Sequence, residues 1–205
     1  MAPRSGIPVP NAITGLILAG GRGARMGGAD KGLQALSGMP LVTHVMRRLS
    51  PQVATLLISA NRNLERYRAL GATVVCDDLP DFAGPLAGIL AGLRAATTEF
   101  VVTAPCDSPL LPTDLVARLA AGLQDRPGAE VAVAVTPHAG QWRVQPAFMM
   151  VPRTLADDLA DYLGAGERKI QTWLARHTIA QVPFDDERPF YNINTLEELN
   201  DIERR

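Results

Sequence analysis

Glycine and cationic residues are concentrated in one short segment near the start of the chain. Six of the thirteen residues from Gly20 to Gly32 are glycine, and the same segment contains Arg22, Arg25 and Lys31. So much glycine predicts a loop rather than a helix, because glycine costs about 1 kcal/mol relative to alanine inside a helix. Exposed backbone N–H groups and nearby cations together bind anions. The segment therefore predicts a site for a polyphosphate.

The two familiar phosphate-binding patterns do not fit this loop. A Walker A loop requires Gly-Lys-Ser/Thr, but Lys31 lies between Asp30 and Gly32. A dinucleotide fingerprint requires a third glycine at the position of Met26. The alternative is a flexible glycine linker, and it is disfavoured because the loop directly follows an apolar run, residues 13–19, that is typical of a buried parallel strand.

Asp107 is the strongest candidate for a metal ligand. It follows an apolar run over residues 100–104, and Pro105 and Pro109 on either side restrict the backbone. Ligands of open parallel sheets bind beyond the carboxyl ends of the strands, where Asp107 is expected to lie. Mg²⁺ is commonly shared between one or two carboxylates and substrate phosphates. Asp107 is therefore predicted to bind Mg²⁺.

Asp77 is a second candidate at the same edge of the sheet. It follows the short apolar run over residues 73–76, and we expect it to contact a nucleotide. The alternative for a lone aspartate is a turn or a helix cap, which is the simpler interpretation of Asp78 and Asp114.

Strand and helix patterns alternate along the chain. Helices are predicted over residues 40–50, 63–70 and 84–96, and strands over residues 13–19, 53–59, 73–76, 100–104, 130–135 and 147–151. Helices of about ten residues between apolar strands predict right-handed βαβ units and a mostly parallel sheet covered on both faces. Near the end, Tyr191 to Asn194 alternates like a strand, and Thr195 with Glu198 forms a capping box for a last helix.

Composition limits the classes of protein that the chain can represent. Its 205 residues, 47% apolar and with a formal charge of −1, can bury the core of one domain, and they provide no general attraction to nucleic acid or to a membrane surface. No apolar run approaches the roughly 18 residues of a membrane span. Residues 1–12 contain no apolar core of a signal peptide and are expected to form a flexible leader. Cys76 and Cys106 lack metal-site spacing and are too few for a disulfide framework, so a cytoplasmic location is expected.

Three motifs in order carry a family resemblance. They are LAGG-x-x-x-RMGG-x-DKGL at residues 18–33, D-x-x-P-x-x-x-GPLAGI at residues 77–89, and PCDSP at residues 105–109. Together they resemble the molybdenum cofactor guanylyltransferases, and the match extends from Ile13 to Leu199. The resemblance implies a Rossmann-like α/β three-layer sandwich and a requirement for GTP and Mg²⁺. It implies that GMP is joined to the terminal phosphate of molybdopterin carrying molybdenum, with release of pyrophosphate.

The resemblance also assigns residues. The implied nucleotide-binding residues are Leu18, Ala19, Gly20, Gly21, Lys31, Asp77, Gly84, Pro85, Leu86 and Asp107. Arg25 and Lys31 would stabilise the leaving pyrophosphate, and Asp107 would hold Mg²⁺ beside the α-phosphate. The family often has Asn at the position of Ser59, and Asn61 could substitute for it.

The second half of the chain is expected to hold the acceptor. We divide a single domain over residues 13–205 into a nucleotide-binding half, residues 13–110, and an acceptor-binding half, residues 111–205. Arg168 and Lys169 would lie at the start of a helix opened by residues 166–169, where anions bind, although a solvated helix start is an equal alternative. Asn192 and Asn194 are carried over from the family as residues facing the active site. Trp142 and Trp173 are each interpreted as core residues, with pterin stacking as the alternative.

The chemistry needs no general base, because the attacking phosphate is already an anion. His44, His138 and His177 are accordingly interpreted as structural, and Cys106 as a small buried residue. Two alternatives stay open: a CTP-using enzyme that acts on molybdopterin or on a sugar or polyol phosphate, and a nonenzymatic module that binds GTP or carries the cofactor. A monomer is expected, with a molybdoenzyme-specific chaperone or a molybdenum-insertion protein as possible partners.

Overall fold

The computed structural model describes residues 12–19, 30–77 and 84–193, together with residue 198. The predictions for Gly20, Gly21, Arg25 and Asn194 lie outside the described residues, and so does Thr195 of the predicted capping box.

A seven-stranded sheet forms the centre of the molecule. Its strands are β1 (Ile13–Leu18), β4 (Thr55–Ser59), β5 (Thr73–Val75), β6 (Phe100–Pro105), β7 (Val131–His138), β8 (Gln141–Pro152) and β9 (Ile179–Pro183). They lie in the order β5-β4-β1-β6-β8-β7-β9. Four of the six neighbouring pairs are parallel, and β8 runs antiparallel to both of its neighbours. The predicted mostly parallel sheet is confirmed.

Helices cover both faces of this sheet. They are α1 (Leu41–Leu49), α2 (Leu64–Arg68), α3 (Pro85–Ala95), α4 (Leu115–Asp125), α5 (Ala156–Gly164) and α6 (Ile170–Leu174). Successive residues of a strand point to opposite faces, so the fully buried Leu16 and Ile17 of β1 belong to different hydrophobic clusters. The Leu16 cluster includes Trp173, and the Ile17 cluster includes Tyr67. The α/β sandwich expected from the resemblance is confirmed.

Several predicted element boundaries are wrong. Pro40 does not begin a helix: it pairs with Ala35 in a small hairpin, β2 (Ala35–Leu36) with β3 (Met39–Pro40), and α1 begins at Leu41. The strand predicted from residue 53 begins at Thr55, because a 3-10 turn, Ser50–Gln52, takes up the preceding segment.

The predicted strand near the end of the chain is not observed in its described part. Residues 191–193 form neither helix nor strand and follow a 3-10 turn, Arg188–Phe190. The backbone N–H of Ile193 instead donates to the carbonyl of Asp107 at 2.9 Å. In the described part of the chain, no helix is long and apolar enough to span a bilayer.

The strand order creates a switch point beside β1. The chain passes from β1 to β4 and β5 on one side and then crosses to β6 on the other side. Ligands of open α/β sheets bind at such a point, beyond the carboxyl ends of the strands. Backbone hydrogen bonds join the carboxyl ends of β1, β4 and β6. The N–H of Ala19 donates to the carbonyl of Ser59 at 2.8 Å, and the N–H of Cys106 donates to the carbonyl of Leu18 at 3.1 Å. The sequence positions of the predicted site therefore converge at one edge.

Candidate active site

Lys31 and Asp107 meet at the switch point. Asp107 follows β6 and is 7% exposed, and Lys31 begins a 3-10 turn, Lys31–Leu33, that follows the glycine loop. The ammonium Nζ of Lys31 donates to Oδ2 of Asp107 at 3.0 Å. The structure thus places the cation predicted for the phosphates against the carboxylate predicted for Mg²⁺.

Asp30 is held by two side chains from the α2 region. The hydroxyl of Tyr67 donates to Oδ1 of Asp30 at 2.6 Å, and the amide of Asn63 donates to Oδ2 at 2.9 Å. A Cβ added to Gly32 would lie 2.6 Å from the Tyr67 hydroxyl, so only glycine permits this approach. The sequence did not single out Tyr67 or Asn63, and the only signal was the position of Asp30 directly before Lys31.

Burial controls the protonation of two neighbouring groups. Burial, followed by the nearby Cys106 and by the bond to Asp30, raises the pKa of Tyr67 far above its usual value, so the hydroxyl stays a neutral donor. Burial and then the Asp107 carboxylate raise the pKa of the Cys106 thiol. The prediction of Cys106 as a small buried residue is confirmed.

Asp77 and Asn61 form a paired contact at the end of β5. The amide Nδ2 of Asn61 donates to Oδ2 of Asp77 at 2.6 Å, and the backbone N–H of Asp77 donates to Oδ1 of Asn61 at 3.1 Å. The second carboxylate oxygen, Oδ1 of Asp77, is buried and has no hydrogen-bond partner in the part of the chain that the structure describes. A buried acceptor in this state fits a ligand that donates hydrogen bonds.

The side chain of Ser59 packs against α3. It is 2% exposed, and its Oγ would be 2.4 Å from a Cβ added to Gly88, so it fills the space between β4 and α3. Asn61, rather than Ser59, is the side chain that touches Asp77.

The predicted turn at Gly84 opens α3 as expected. Gly84 has φ +78°, which favours glycine, and Pro85 is the first residue of α3. Leu86 is fully buried, so only its backbone is available to a ligand. A Cβ on Gly84 would lie 4.0 Å from the carbonyl oxygen of Arg168, which brings the predicted acceptor segment beside the start of α3.

The helix predicted to open at residues 166–169 begins at Ile170 and has five residues, with Lys169 as its N-cap. The guanidinium of Arg168 donates at 2.7 Å to the carbonyl of Leu163, in the last turn of α5, and at 2.7 Å to the carbonyl of Glu167, the residue before it. Arg168 therefore closes the connection between α5 and α6. A helix therefore follows residues 166–169 as predicted, and the side chain of Arg168 bonds the carbonyl of Leu163 in α5.

Asn192 contacts the segment that follows β6, Asp107 and Ser108, which we call the Asp107 loop. The hydroxyl of Ser108, which is fully buried, donates to Oδ1 of Asn192 at 2.8 Å. Because Ser108 follows Asp107 directly, the 191–193 segment lies against the predicted metal ligand.

The two tryptophans differ. Trp173 is fully buried, and its indole donates to Asp158, so the core prediction is confirmed. The core prediction is wrong for Trp142, which is 53% exposed because it lies near the tip of the β7–β8 hairpin, paired with Pro137. His44 contacts the carbonyl of Leu36 at 2.9 Å from within α1, as a structural residue does.

Among the described residues, no cluster of three or more His, Cys, Asp or Glu side chains could hold a metal ion. A magnesium ion that shares substrate phosphates and water needs only one or two carboxylates from the protein. The Asp107 carboxylate at the strand end fits such an ion.

A mostly parallel seven-stranded sheet with helices on both faces is an α/β architecture of the Rossmann-like class. Residues 15–182 match the MobA-like NTP transferase domain, and the chain belongs to this family. The family expected from the three motifs is thereby confirmed, and the chain is a nucleotidyltransferase.

Relatives and solved structures agree with this membership. The molybdenum cofactor guanylyltransferases of Cupriavidus taiwanensis and Ralstonia pickettii are each 57% identical to this chain, and the alignments cover 94% of it and 97% of each relative. The structure of molybdopterin-guanine dinucleotide biosynthesis protein A from Archaeoglobus fulgidus is similar with a TM-score of 0.73 at 25% identity, over 93% of this chain and 97% of that one. A 4-diphosphocytidyl-2C-methyl-D-erythritol synthase from Anaerococcus prevotii, 12% identical with a TM-score of 0.74, covers 94% of this chain and 96% of its own and shares the fold.

Proposed function

We propose that this chain transfers GMP from GTP to the terminal phosphate of molybdopterin carrying molybdenum, and releases pyrophosphate. The contact of Lys31 with Asp107 at the switch point carries the proposal, because it joins a cation for the phosphates to a carboxylate for a metal. The names of the relatives at 57% identity supply the acceptor and the base.

The reaction is an in-line displacement. A phosphate oxygen of the acceptor forms a bond to the α-phosphorus of GTP as the bond to the bridging oxygen breaks, and pyrophosphate leaves with that electron pair. Lys31, with Arg25 of the glycine loop, stabilises the charge that grows on the pyrophosphate. Mg²⁺ held by Asp107 would neutralise negative charge on the α-phosphate. No residue has to remove a proton from the attacking phosphate.

The nucleotide occupies the end of the site formed by the first half of the chain. We assign the backbone of Leu18, Ala19, Gly20 and Gly21 to the phosphates, and the start of α3 at Gly84, Pro85 and Leu86 to the base or ribose. Asp77, oriented by Asn61, accepts hydrogen bonds from the guanine or the ribose through its buried Oδ1.

The acceptor occupies the side formed by the second half of the chain. Asn192 contacts the Asp107 loop, and we assign Asn192 and Asn194 to the acceptor phosphate. The backbone of Arg168 and the side chain of Lys169 approach it from the start of α6, next to Gly84. The two free cysteines fit an enzyme of the cytoplasm. We propose a monomer that passes its product to a molybdoenzyme-specific chaperone or takes its substrate from a molybdenum-insertion protein.

A substrate panel tests this proposal. The purified chain is mixed with Mg²⁺, molybdenum-loaded molybdopterin and one of GTP, CTP or ATP, and pyrophosphate release and the mass of the product are measured. We expect pyrophosphate and a guanine dinucleotide product with GTP. Release with CTP alone would overturn the guanine assignment, and no release with any nucleotide would support a binding module in place of an enzyme.

A further inference from the structure

We propose that Tyr67 and Asn63 are positioning residues that aim Lys31 by holding the carboxylate of Asp30. The inference rests on the proposed function, because it assigns to Lys31 the leaving-group charge. Each oxygen of the Asp30 carboxylate receives one donor, from Tyr67 at 2.6 Å and from Asn63 at 2.9 Å. Two donors on the two oxygens fix the rotation of the carboxylate as well as its position.

The backbone of Asp30 is fixed as well. Its carbonyl accepts the N–H of Leu33 at 3.2 Å and the side-chain amide of Gln34 at 3.3 Å. The side chain and the carbonyl of Asp30 are both hydrogen-bonded, so Asp30 fixes the orientation of the turn that starts at Lys31. The side chain of Lys31 leaves this turn toward Asp107, where its Nζ lies 3.0 Å from Oδ2.

The two donors differ in their surroundings. Tyr67 is fully buried, whereas Asn63 is exposed and has φ +52° and ψ +33°, a left-handed conformation that asparagine tolerates better than most residues. Asn63 is the N-cap residue of α2, yet its side chain makes no capping bond and is directed to Asp30 instead. The amide of Asn63 is thus committed to the carboxylate of Asp30.

Holding Asp30 also protects the phosphates. A released carboxylate next to Lys31 in sequence could pair with that ammonium or repel the triphosphate, because charges a few ångströms apart interact strongly in a partly buried site. Tyr67 and Asn63 keep this negative charge turned away from the nucleotide.

Pyrophosphate release and hydrogen exchange of the purified full chain test the inference. Tyr67→Phe removes one hydroxyl, and Thr14→Val is the matched control. Thr14 is fully buried at the amino end of β1, and its hydroxyl bonds Thr55 at 3.0 Å and Thr98 at 2.7 Å. Loss of a bond to a charged group predicts that Tyr67→Phe lowers kcat by about tenfold with a smaller change in KM for GTP. The control keeps kcat.

Two further readouts separate positioning from general stability. In Tyr67→Phe the amides of Leu33 and Gln34 should exchange about tenfold faster than in the wild type, and in Thr14→Val they should not. In a Lys31→Met background, Tyr67→Phe should cause no further loss of rate, because the effect acts through Lys31. Unchanged exchange at both amides, or an equal loss of rate with and without Lys31, would overturn the inference. A wild-type chain that releases no pyrophosphate would overturn the proposed function instead, and the exchange measurement would still decide the inference.

Discussion

The ammonium of Lys31 and the carboxylate of Asp107 lie 3.0 Å apart, although 76 positions separate the two residues in the chain. Their side chains are 22% and 11% exposed, so the pair is partly shielded from water and remains accessible to a ligand. A cation and a carboxylate held together at a strand end form a site that is organised before substrate binds, which lowers the reorganisation needed during reaction. We therefore expect the effects of mutation here to fall on turnover more than on folding.

Asp107→Ala should lower kcat by about 100-fold to 1,000-fold, the range seen when one preorganised electrostatic group is removed. Asp114→Ala is the control, because Asp114 is 59% exposed at the start of α4 and pairs with Arg118. Pyrophosphate release and thermal unfolding are measured for both variants. A near-normal rate of Asp107→Ala at saturating Mg²⁺ would show that the assigned metal role is wrong.

Asn61→Ala should raise KM for GTP by about tenfold, since Asp77 loses the partner that orients its carboxylate. Ser59→Ala should leave KM unchanged, because the hydroxyl of Ser59 packs under Gly88, whereas Asn61 is the side chain that bonds Asp77. A raised KM for GTP in Ser59→Ala, with an unchanged KM in Asn61→Ala, would assign the nucleotide contact to Ser59.

Asp77→Asn should separate a base contact from a ribose contact. If Asp77 accepts from the guanine amine, the variant loses most of the preference for GTP over ITP, which lacks that amine. An unchanged preference together with a raised KM for both nucleotides would place Asp77 on the ribose.

Gly92→Ala should destabilise the fold by about 1–3 kcal/mol, the usual cost of overpacking a core. A Cβ at this position of α3 would lie 2.3 Å from Cδ2 of Leu16 in β1. Gly164→Ala is the control at the end of α5, where an added Cβ meets nothing within 4 Å. It should be neutral or stabilise by up to about 1 kcal/mol. Urea unfolding measures both, and equal stabilities would contradict the close approach of α3 to the sheet.

Tyr67 should make stability depend on alkaline pH. Burial raises the pKa of Tyr67 in the folded chain. The stability that the neutral hydroxyl contributes is therefore fully present below the unfolded pKa of about 10, and it is lost as the pH rises above that value. Between the unfolded and folded pKa values, the free energy of unfolding should fall about 1.4 kcal/mol per pH unit faster in the wild type than in Tyr67→Phe. Parallel curves from pH 9 to 11 would mean that the hydroxyl ionises in the folded state.

The sequence predicted those parts of the site that depend on strand ends. Asp77 and Asp107 each follow a short apolar strand, and parallel strands place their carboxyl ends at one edge, so their common location followed from local patterns. Lys31 was identifiable because it follows the glycine-rich stretch, and its contact with Asp107 places it beside the residues that follow β6.

The parts that were not predicted depend on tertiary contacts. Tyr67 and Asn63 lie more than thirty positions from Asp30, and nothing in their local sequence indicates that they bond it. Trp142 was assigned to the core by residue type, but β7 and β8 extend past the core into solvent. Pro40 has the sequence context of a first helical residue, yet pairing with Ala35 keeps it extended.

The decisive experiment is a crystal structure of the chain with GTP and Mg²⁺, in the absence of acceptor. We expect the triphosphate at the carboxyl ends of β1 and β6, with Lys31 on its phosphates and a metal ion on the Asp107 carboxylate. A triphosphate bound elsewhere, with Lys31 still paired to Asp107 and no metal on that carboxylate, would contradict it.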